Sequence, residues 1–172
     1  MNGFLLLIPF LLIRFVLLNL LNKDGLKRGA FFAPLIGKER TAYWFYQISN
    51  ILFFIYLFFL KVTAESYWFY TGLLTYASGI LLCLVSVFNF AAPADNGINL
   101  KGLYRVSRNP MYVAYFICFL GCVLLTQSFL LFIILLIFQV SAHWIILSEE
   151  RWCTKKFGKA YINYMNKVRR YI

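Results

Sequence analysis

The feature that most constrains this chain is a run from Met111 to Leu147 without a single Asp, Glu, Lys or Arg. Its 37 residues are too many for one membrane span, which needs about 20 apolar residues. The polar triplet Thr-Gln-Ser at 126–128 divides the run. We therefore predict two membrane helices joined by a tight turn, at 110–126 and 128–148.

Three further apolar runs predict spans at 3–21, 43–60 and 67–90. Hydrophobic residues make up 62% of the chain and charged residues 13%, against about 45–50% and about 25% in soluble proteins. A soluble domain of 172 residues could not bury so much apolar surface. The sequence therefore predicts an all-α, polytopic membrane protein of one domain, 1–172, with about five transmembrane helices. The first run lacks a basic leader and an Ala-x-Ala site, so it is interpreted as a span and not as a signal peptide.

The net charge of +11 is concentrated in the polar stretches between the spans. With the N-terminus outside, the inner loops and the tail hold 5, 3 and 7 Lys or Arg, and the outer connections hold only Lys61. This distribution follows the positive-inside rule and predicts a cytoplasmic C-terminus. Membrane lipids with anionic headgroups are expected partners. A nucleic-acid partner is not expected, because a protein that binds nucleic acid would not be so apolar.

The polar tail is predicted to form an amphipathic helix at 149–168. One stripe recurs at steps of three and four residues: Cys153, Phe157, Tyr161, Tyr164 and Val168. Such a helix either lies on the membrane surface or caps the bundle. Arg14, inside the first span, either snorkels to the interface or faces a partner or an aqueous cavity. The four cysteines form no Cys-x-x-Cys pair, and no metal site is predicted.

Two polar clusters flank the long apolar run. In the first, Asn109 is a good N-cap and Pro110 suits the first turn of a helix. The start of that helix favours an anion, which Arg105 and Arg108 would reinforce. Tyr104 and Tyr112 add aromatic faces and hydroxyl groups.

The second cluster contains His143, the only histidine of the chain, and the adjacent acids Glu149 and Glu150. In a hairpin, the end of its second helix returns to the membrane face at which its first helix begins. Groups that bind anions and groups that bind cations should therefore converge at one membrane edge. Such a site suits a zwitterionic cofactor that also carries a cation.

The order "GLYRVSRNPMY", then His143, then "EERWCTKKFGKAYINYMNKVRRYI" resembles the membrane methyltransferases of the isoprenylcysteine carboxyl methyltransferase and phospholipid methyltransferase group. The resemblance covers 98–172. It implies methyl transfer that depends on S-adenosylmethionine (SAM), with S-adenosylhomocysteine (SAH) as product and a lipid-like substrate that enters from the bilayer. The cofactor-binding residues that it implies are Ile98, Asn99, Tyr104, Asn109, Pro110, Met111, Tyr112, His143 and Glu149. The candidate catalytic residues are His143, Glu150 and Arg108.

The chain departs from that pattern at two positions. Many relatives have His where this chain has Asn109, and the isoprenylcysteine enzymes have a carboxylate-binding Arg where it has Ile145. The acceptor is therefore left open between the carboxylate of an isoprenylcysteine-like compound and a lipid amine. Two other classes remain as alternatives, an NADPH-dependent membrane reductase of the steroid-reductase type and a non-catalytic membrane protein.

Overall fold

The computed structural model describes residues 1–93 and 97–172, so 94–96 of the loop predicted at 91–109 lie outside the described residues. The regular elements of the described part are all helical. They are α1 (Gly3–Leu21), α2 (Lys23–Gly29), α3 (Lys38–Phe59), α4 (Tyr67–Ala91), α5 (Pro110–Thr126), α6 (Phe129–Phe157) and α7 (Lys159–Lys167), with a 3-10 turn at Gly102–Arg105.

Four of these helices, α1, α3, α4 and α6, are long and apolar enough to cross a membrane by length and composition. The fifth, α5, is apolar over 17 residues, which corresponds to a length of about 26 Å. It forms a hairpin with α6 around Gln127, which has a left-handed φ of 51°. The prediction of an all-α polytopic membrane fold is therefore confirmed.

The long helix α6 does not end where the sequence becomes polar. It continues without a break to Phe157, and Gly158, with a φ of 56°, separates it from α7. The prediction of one separate tail helix at 149–168 is therefore wrong, whereas the span predicted at 128–148 lies within α6 apart from its first residue. Ser, Glu, Arg and Trp are compatible with a helix, so a change in polarity alone does not stop one, whereas a left-handed backbone does. Helix α3 likewise begins at Lys38, before the predicted start at 43.

The bundle has two distinct ends. At the hairpin end, the N-terminus, the α3–α4 connection and the α5–α6 turn are joined, as Val62 N donates to Met1 O and Thr63 N to Leu125 O, both at 2.9 Å. At the polar end lie α2, the 3-10 turn, α7 and the C-terminal residues 168–172. The functional residues predicted from the sequence all belong to the polar end.

Helices α4 and α5 approach each other closely because glycines lie between them. A Cβ atom at Gly79 would meet the backbone of Cys118, and one at Gly121 would meet the backbone of Tyr76. In a lipid environment helix association depends on such close packing, since apolar side chains gain little by leaving lipid. This pair forms a firm wall on one side of the bundle, while α3 packs along α6 on the other.

Helix α1 is irregular and packs on α3 mainly at the hairpin end. There Gly3 N donates to Leu60 O at 2.8 Å, and the rings of Phe4 and Phe58 lie 5.6 Å apart. Towards the polar end α1 changes to a π-helical turn at Leu12–Leu17. Turns of this kind often occur at functional sites. In this chain the π-helical turn borders an internal cavity.

Candidate functional site

A cavity of about 660 Å³ occupies the polar end of the bundle. This volume lies within the range of about 300–1,000 Å³ that is usual for small-molecule sites. Of the residues predicted from the sequence, those that line the cavity are Ile98, Asn99, Tyr104, Arg108, Asn109, Met111, Tyr112, Glu149 and Glu150. The fold therefore gathers most of the predicted set around one space, although the roles of these residues stay predictions.

Tyr112 and Glu149 connect the two helices of the hairpin across the cavity wall. The hydroxyl group of Tyr112 donates to Glu149 Oε1 at 2.9 Å. The other carboxylate oxygen of Glu149 makes no hydrogen bond with the described residues. Since Glu149 lines the cavity, this oxygen is available to a ligand that donates hydrogen bonds.

Glu150 is held in a buried ion cluster. Arg108 Nη2 lies 3.2 Å from Glu150 Oε1, and Arg170 Nη2 lies 2.9 Å from Oε2. The carboxylate of Glu150 is nearly inaccessible, with 5% of its side chain exposed. Its hydrogen bonds with Arg170 raise the pKa of that guanidinium group. Two cations thus hold Glu150 in place. One nitrogen of Arg108, Nε, has no hydrogen-bond partner among the described residues.

Asn109 occupies the N-cap position of α5, as predicted, but its side chain does not cap the helix. Its Nδ2 instead donates to Arg170 O at 3.1 Å, and Ser107 Oγ accepts the hydrogen bond from Asn109 N. The C-terminal residues run beside this loop, with a further bond of 2.9 Å from Arg108 N to Arg169 O. The C-terminal segment therefore forms part of the site's scaffold.

The 3-10 turn places Tyr104 in the cavity wall. Gly102, with a φ of 57°, allows the tight approach to Asn89, whose Oδ1 accepts a hydrogen bond from Leu103 N at 2.8 Å. The backbone oxygen of Tyr104 accepts a hydrogen bond of 2.7 Å from the hydroxyl group of Tyr164. Burial raises the pKa of Tyr104 far above its usual range, so its phenol stays neutral.

The apolar stripe of the tail faces the bundle. Tyr161 and Tyr164 are buried against Ile98, and Cys153, Phe157 and Val168 pack around them. Of the two arrangements expected for this stripe, the structure has the one in which the tail caps the bundle. The tail covers the cavity at the polar end, because Tyr161 and Tyr164 also line it.

His143 and Pro110 are not among the cavity-lining residues, although both were predicted for the cofactor pocket. The Nδ1 atom of His143 lies 2.6 Å from the hydroxyl group of Tyr171. His143 and Glu150 are two turns apart on one face of α6, and the C-terminal residues Arg170 and Tyr171 cover that face. In this structure His143 therefore lies outside the cavity wall, and its role in the pocket stays a prediction.

The first two spans contribute cavity residues that the motifs did not indicate. Arg14 lines the cavity, donates from Nη2 to Gly29 O and lies 5.9 Å from the ring centroid of Tyr115. Of the two interpretations of Arg14, the structure has the one in which it faces a cavity. Gln47 and Asn50 of α3 also line the cavity, where both are half-buried. The sequence signal that could have identified them is an amide side chain inside an apolar span.

Four buried polar atoms in the cavity wall make no hydrogen bond with the described residues. They are Arg14 Nη1, Asn99 Oδ1, Arg108 Nε and Tyr115 OH. Buried polar groups in proteins almost always have a partner, so atoms of this kind in a cavity wall indicate a polar ligand. Apolar rings such as Phe10, Phe54 and Phe119 line the rest of the cavity. The cavity can therefore hold a charged molecule beside an apolar one.

The fold and the cavity together define an integral membrane protein with a ligand site at one end of its helical bundle. The profile of the phospholipid methyltransferase family matches residues 67–160, which is more than half of the chain. The chain belongs to this family of integral membrane methyltransferases, which is related to the isoprenylcysteine carboxyl methyltransferases. Comparisons with curated proteins and with solved structures gave no match.

Proposed function

We propose that the protein transfers a methyl group from SAM to a lipidic or small hydrophobic acceptor at the membrane. The observation that carries this proposal is the convergence of Arg108, Tyr112 and Glu149 on one cavity, in a chain that belongs to a methyltransferase family. The same cavity has polar and apolar walls, which suits a charged cofactor beside a hydrophobic acceptor.

The residues at the polar end fit the functional groups of SAM. The amino acid part of SAM carries an ammonium group, which the free oxygen of Glu149 can accept, and a carboxylate, which suits the unpartnered Nε of Arg108. The unpartnered Oδ1 of Asn99 can accept a hydrogen bond from a ribose hydroxyl group. Tyr104 and Tyr161 offer aromatic faces in the same wall.

When bound, SAM would supply a methyl group on a sulfonium: a lone pair of the acceptor would form the new bond to the methyl carbon, and SAH would leave with the electron pair of the broken C–S bond. For such a displacement the protein must mainly align the acceptor and exclude water. The Glu150 cluster holds Arg108 in position, and the tail helix α7 covers the polar end. Arg108 and Glu150 are therefore assigned an aligning role.

The choice of acceptor remains between a carboxylate and a lipid amine. A carboxylate needs no base, whereas an amine must first lose its proton. Of the two bases predicted from the sequence, His143 lies outside the cavity wall and Glu150 is engaged by two arginines. This favours an acceptor that reaches the site already deprotonated.

A lipid-like acceptor would enter from the bilayer, while SAM would enter from the aqueous side at the polar end. The excess of Lys and Arg at that end supports a cytoplasmic location for it and for the C-terminus, with the N-terminus outside. Lipids of the surrounding membrane are the expected partners.

The test is calorimetric titration of the purified full-length protein in dodecyl maltoside with SAH. We expect micromolar affinity, and loss of at least tenfold in affinity for Glu149→Gln, because its free oxygen would no longer be charged. Glu65→Gln is the matched control, since Glu65 is exposed in the α3–α4 connection at the hairpin end. Absence of SAH binding by the unaltered protein, or NADPH binding in its place, would sink the proposal.

A further inference from the structure

Arg14 lies half-buried in the middle of a membrane span without a complete set of hydrogen-bond partners. Arg14 lies seven residues before Leu21, the last residue of α1. Its backbone is therefore roughly 10 Å below the polar end. Its Nη2 is bonded to Gly29 O, but its Nη1 is buried and has no partner among the described residues. A cation inside a span is costly unless another group compensates its charge. The Nη1 donor of Arg14 is therefore available to a ligand that accepts hydrogen bonds.

Neither acid of the cavity wall is in hydrogen-bond contact with Arg14, and Glu149 interacts with it only at longer range. Glu149 accepts from Tyr112, Glu150 is paired with Arg108 and Arg170, and neither forms an ion pair with Arg14. The unpartnered Nη1 of Arg14 is thus left to a ligand, and an anionic group suits it. The backbone of Arg14 lies deeper in the bundle than the polar end, and its side chain extends from there towards Gly29 of α2.

The opposite wall of this deeper part belongs to α3. Asn50 lines the cavity there, and its amide makes no hydrogen bond with the described residues. Gly3 of α1 and Leu60, which follows α3, meet at the hairpin end. Arg14 follows Gly3 by 11 residues, and Asn50 precedes Leu60 by 10. The two side chains therefore lie at similar depth on facing helices.

This depth is also where the cavity meets the lipid-facing surface. Phe15 lines the cavity and is 52% exposed. Helix α1 packs on α3 mainly at the hairpin end, through Phe4 and Phe58. An apolar chain that lies against Phe15 and Phe54 can therefore reach the bilayer between α1 and α3.

We propose that Arg14 and Asn50 bind an anionic group, a carboxylate or a phosphate, of an amphipathic methyl acceptor. The apolar tail of this acceptor lies against Phe15 and Phe54. This inference rests on the proposed methyl transfer and deepens it, because it makes Arg14 the residue that selects acceptors with a negative charge. A guanidinium group suits both anions through paired hydrogen bonds, and the amide of Asn50 can donate a further one.

The test uses chains of equal length that differ in their head group. Dodecyl phosphate, dodecanoate and dodecanol are titrated by calorimetry into the full-length protein in dodecyl maltoside, at matched mole fractions of the micelle. We expect the two anions to bind at least tenfold more tightly than the alcohol. In Arg14→Gln we expect this preference to disappear, while the affinity for SAH stays within about twofold.

Arg40→Gln is the matched control, because Arg40 is exposed on α3, lies outside the main cavity and carries the same charge. It should retain the preference for anions. Inorganic phosphate serves as a probe without a tail, and binding as tight as that of dodecyl phosphate would overturn the assignment to an amphiphile. Equal binding of the alcohol, or an unaltered preference in Arg14→Gln, would overturn the role of Arg14.

If Arg14→Gln does not fold, Asn50→Ala tests the same site from a helix face that already borders open space. It should weaken dodecyl phosphate several-fold and leave SAH binding intact, and unaltered binding of dodecyl phosphate would contradict the proposal. The proposed methyl transfer fails separately, by loss of SAH binding in the unaltered protein. A loss of SAH affinity in Arg14→Gln with the anion preference retained would instead assign Arg14 to the cofactor.

Discussion

Glu149 and Glu150 are neighbours in sequence, but the helix separates their environments by about 100°. Glu149 faces Tyr112 and the cavity, with one carboxylate oxygen free for a ligand. Glu150 faces Arg108 and Arg170, which bind both of its oxygens. The acidic pair therefore combines a ligand-binding group with a structural anchor.

The anchor role predicts a stability defect for Glu150→Gln. The change leaves Arg108 buried beside a neutral amide, and breaking a buried ion pair in this way costs about 3 kcal/mol. We expect a lower midpoint of thermal unfolding in detergent, compared with Glu65→Gln, whose residue is exposed. Below that midpoint the variant should still transfer methyl groups. Complete loss of transfer by the folded variant would contradict a purely structural role of Glu150.

The hydrogen bond from Tyr112 to Glu149 predicts a separate effect on ligand binding. Tyr112→Phe removes a hydrogen bond to a charged group, which is worth about 1.5–3 kcal/mol, and frees Glu149 to turn. We expect SAH to bind about tenfold more weakly. Tyr70→Phe is the matched control, since Tyr70 is 75% exposed on α4. Equal affinities of the two variants would contradict a role of this hydrogen bond in the site.

At the scale of the helices, the close pair α4 and α5 sets the position of the motif residues. Because α5 begins at Pro110, directly after Asn109, any shift of α5 against α4 moves Tyr112 relative to the rest of the cavity. Gly79 and Gly121 determine this distance, since neither position has space for a methyl group. The geometry of the site thus depends on glycines that do not line it.

Gly79→Ala should therefore destabilise the bundle. The added methyl group meets the backbone of Cys118, which cannot move as a flexible side chain could, and overpacking of this kind costs about 1–3 kcal/mol. Ala77→Val, on the exposed face of the same helix, adds more volume and serves as the control. Thermal unfolding in detergent measures both. A midpoint for Gly79→Ala equal to that of Ala77→Val would contradict the close packing.

The helices themselves could be predicted from the sequence because apolar length and capping signals act locally. Pro110 and the Thr-Gln-Ser triplet gave the bounds of α5, and the hairpin then required Tyr112 and Glu149 to meet. The partner of His143 could not be predicted, because it depends on where the extended residues after α7 lie. For the same reason the sequence did not indicate that Arg170 belongs to the cluster around Glu150.

At the scale of the whole molecule, the cavity joins a part of the chain that matches the family profile with a part that precedes this match. Residues 67–160 match the family profile and provide Tyr112 and Glu149, whereas Arg14 and Asn50 come from the part before that match. Under the two proposals above, the matched part carries the methyl transfer and the preceding part selects the acceptor. A variant of the first two spans should therefore alter acceptor preference without altering SAH binding.

The orientation of the molecule is predicted from the excess of Lys and Arg at the polar end. The substitutions Glu65→Cys and Lys167→Cys test this orientation, because both positions are exposed and lie at opposite ends of the bundle. Each is made in a background that carries Cys153→Ser. With a membrane-impermeant maleimide we expect labelling of Glu65→Cys in intact cells and of Lys167→Cys only after permeabilisation. SAM is made in the cytosol, so the reverse pattern would place the cavity opening on the side without cofactor and contradict both the orientation and the proposed reaction.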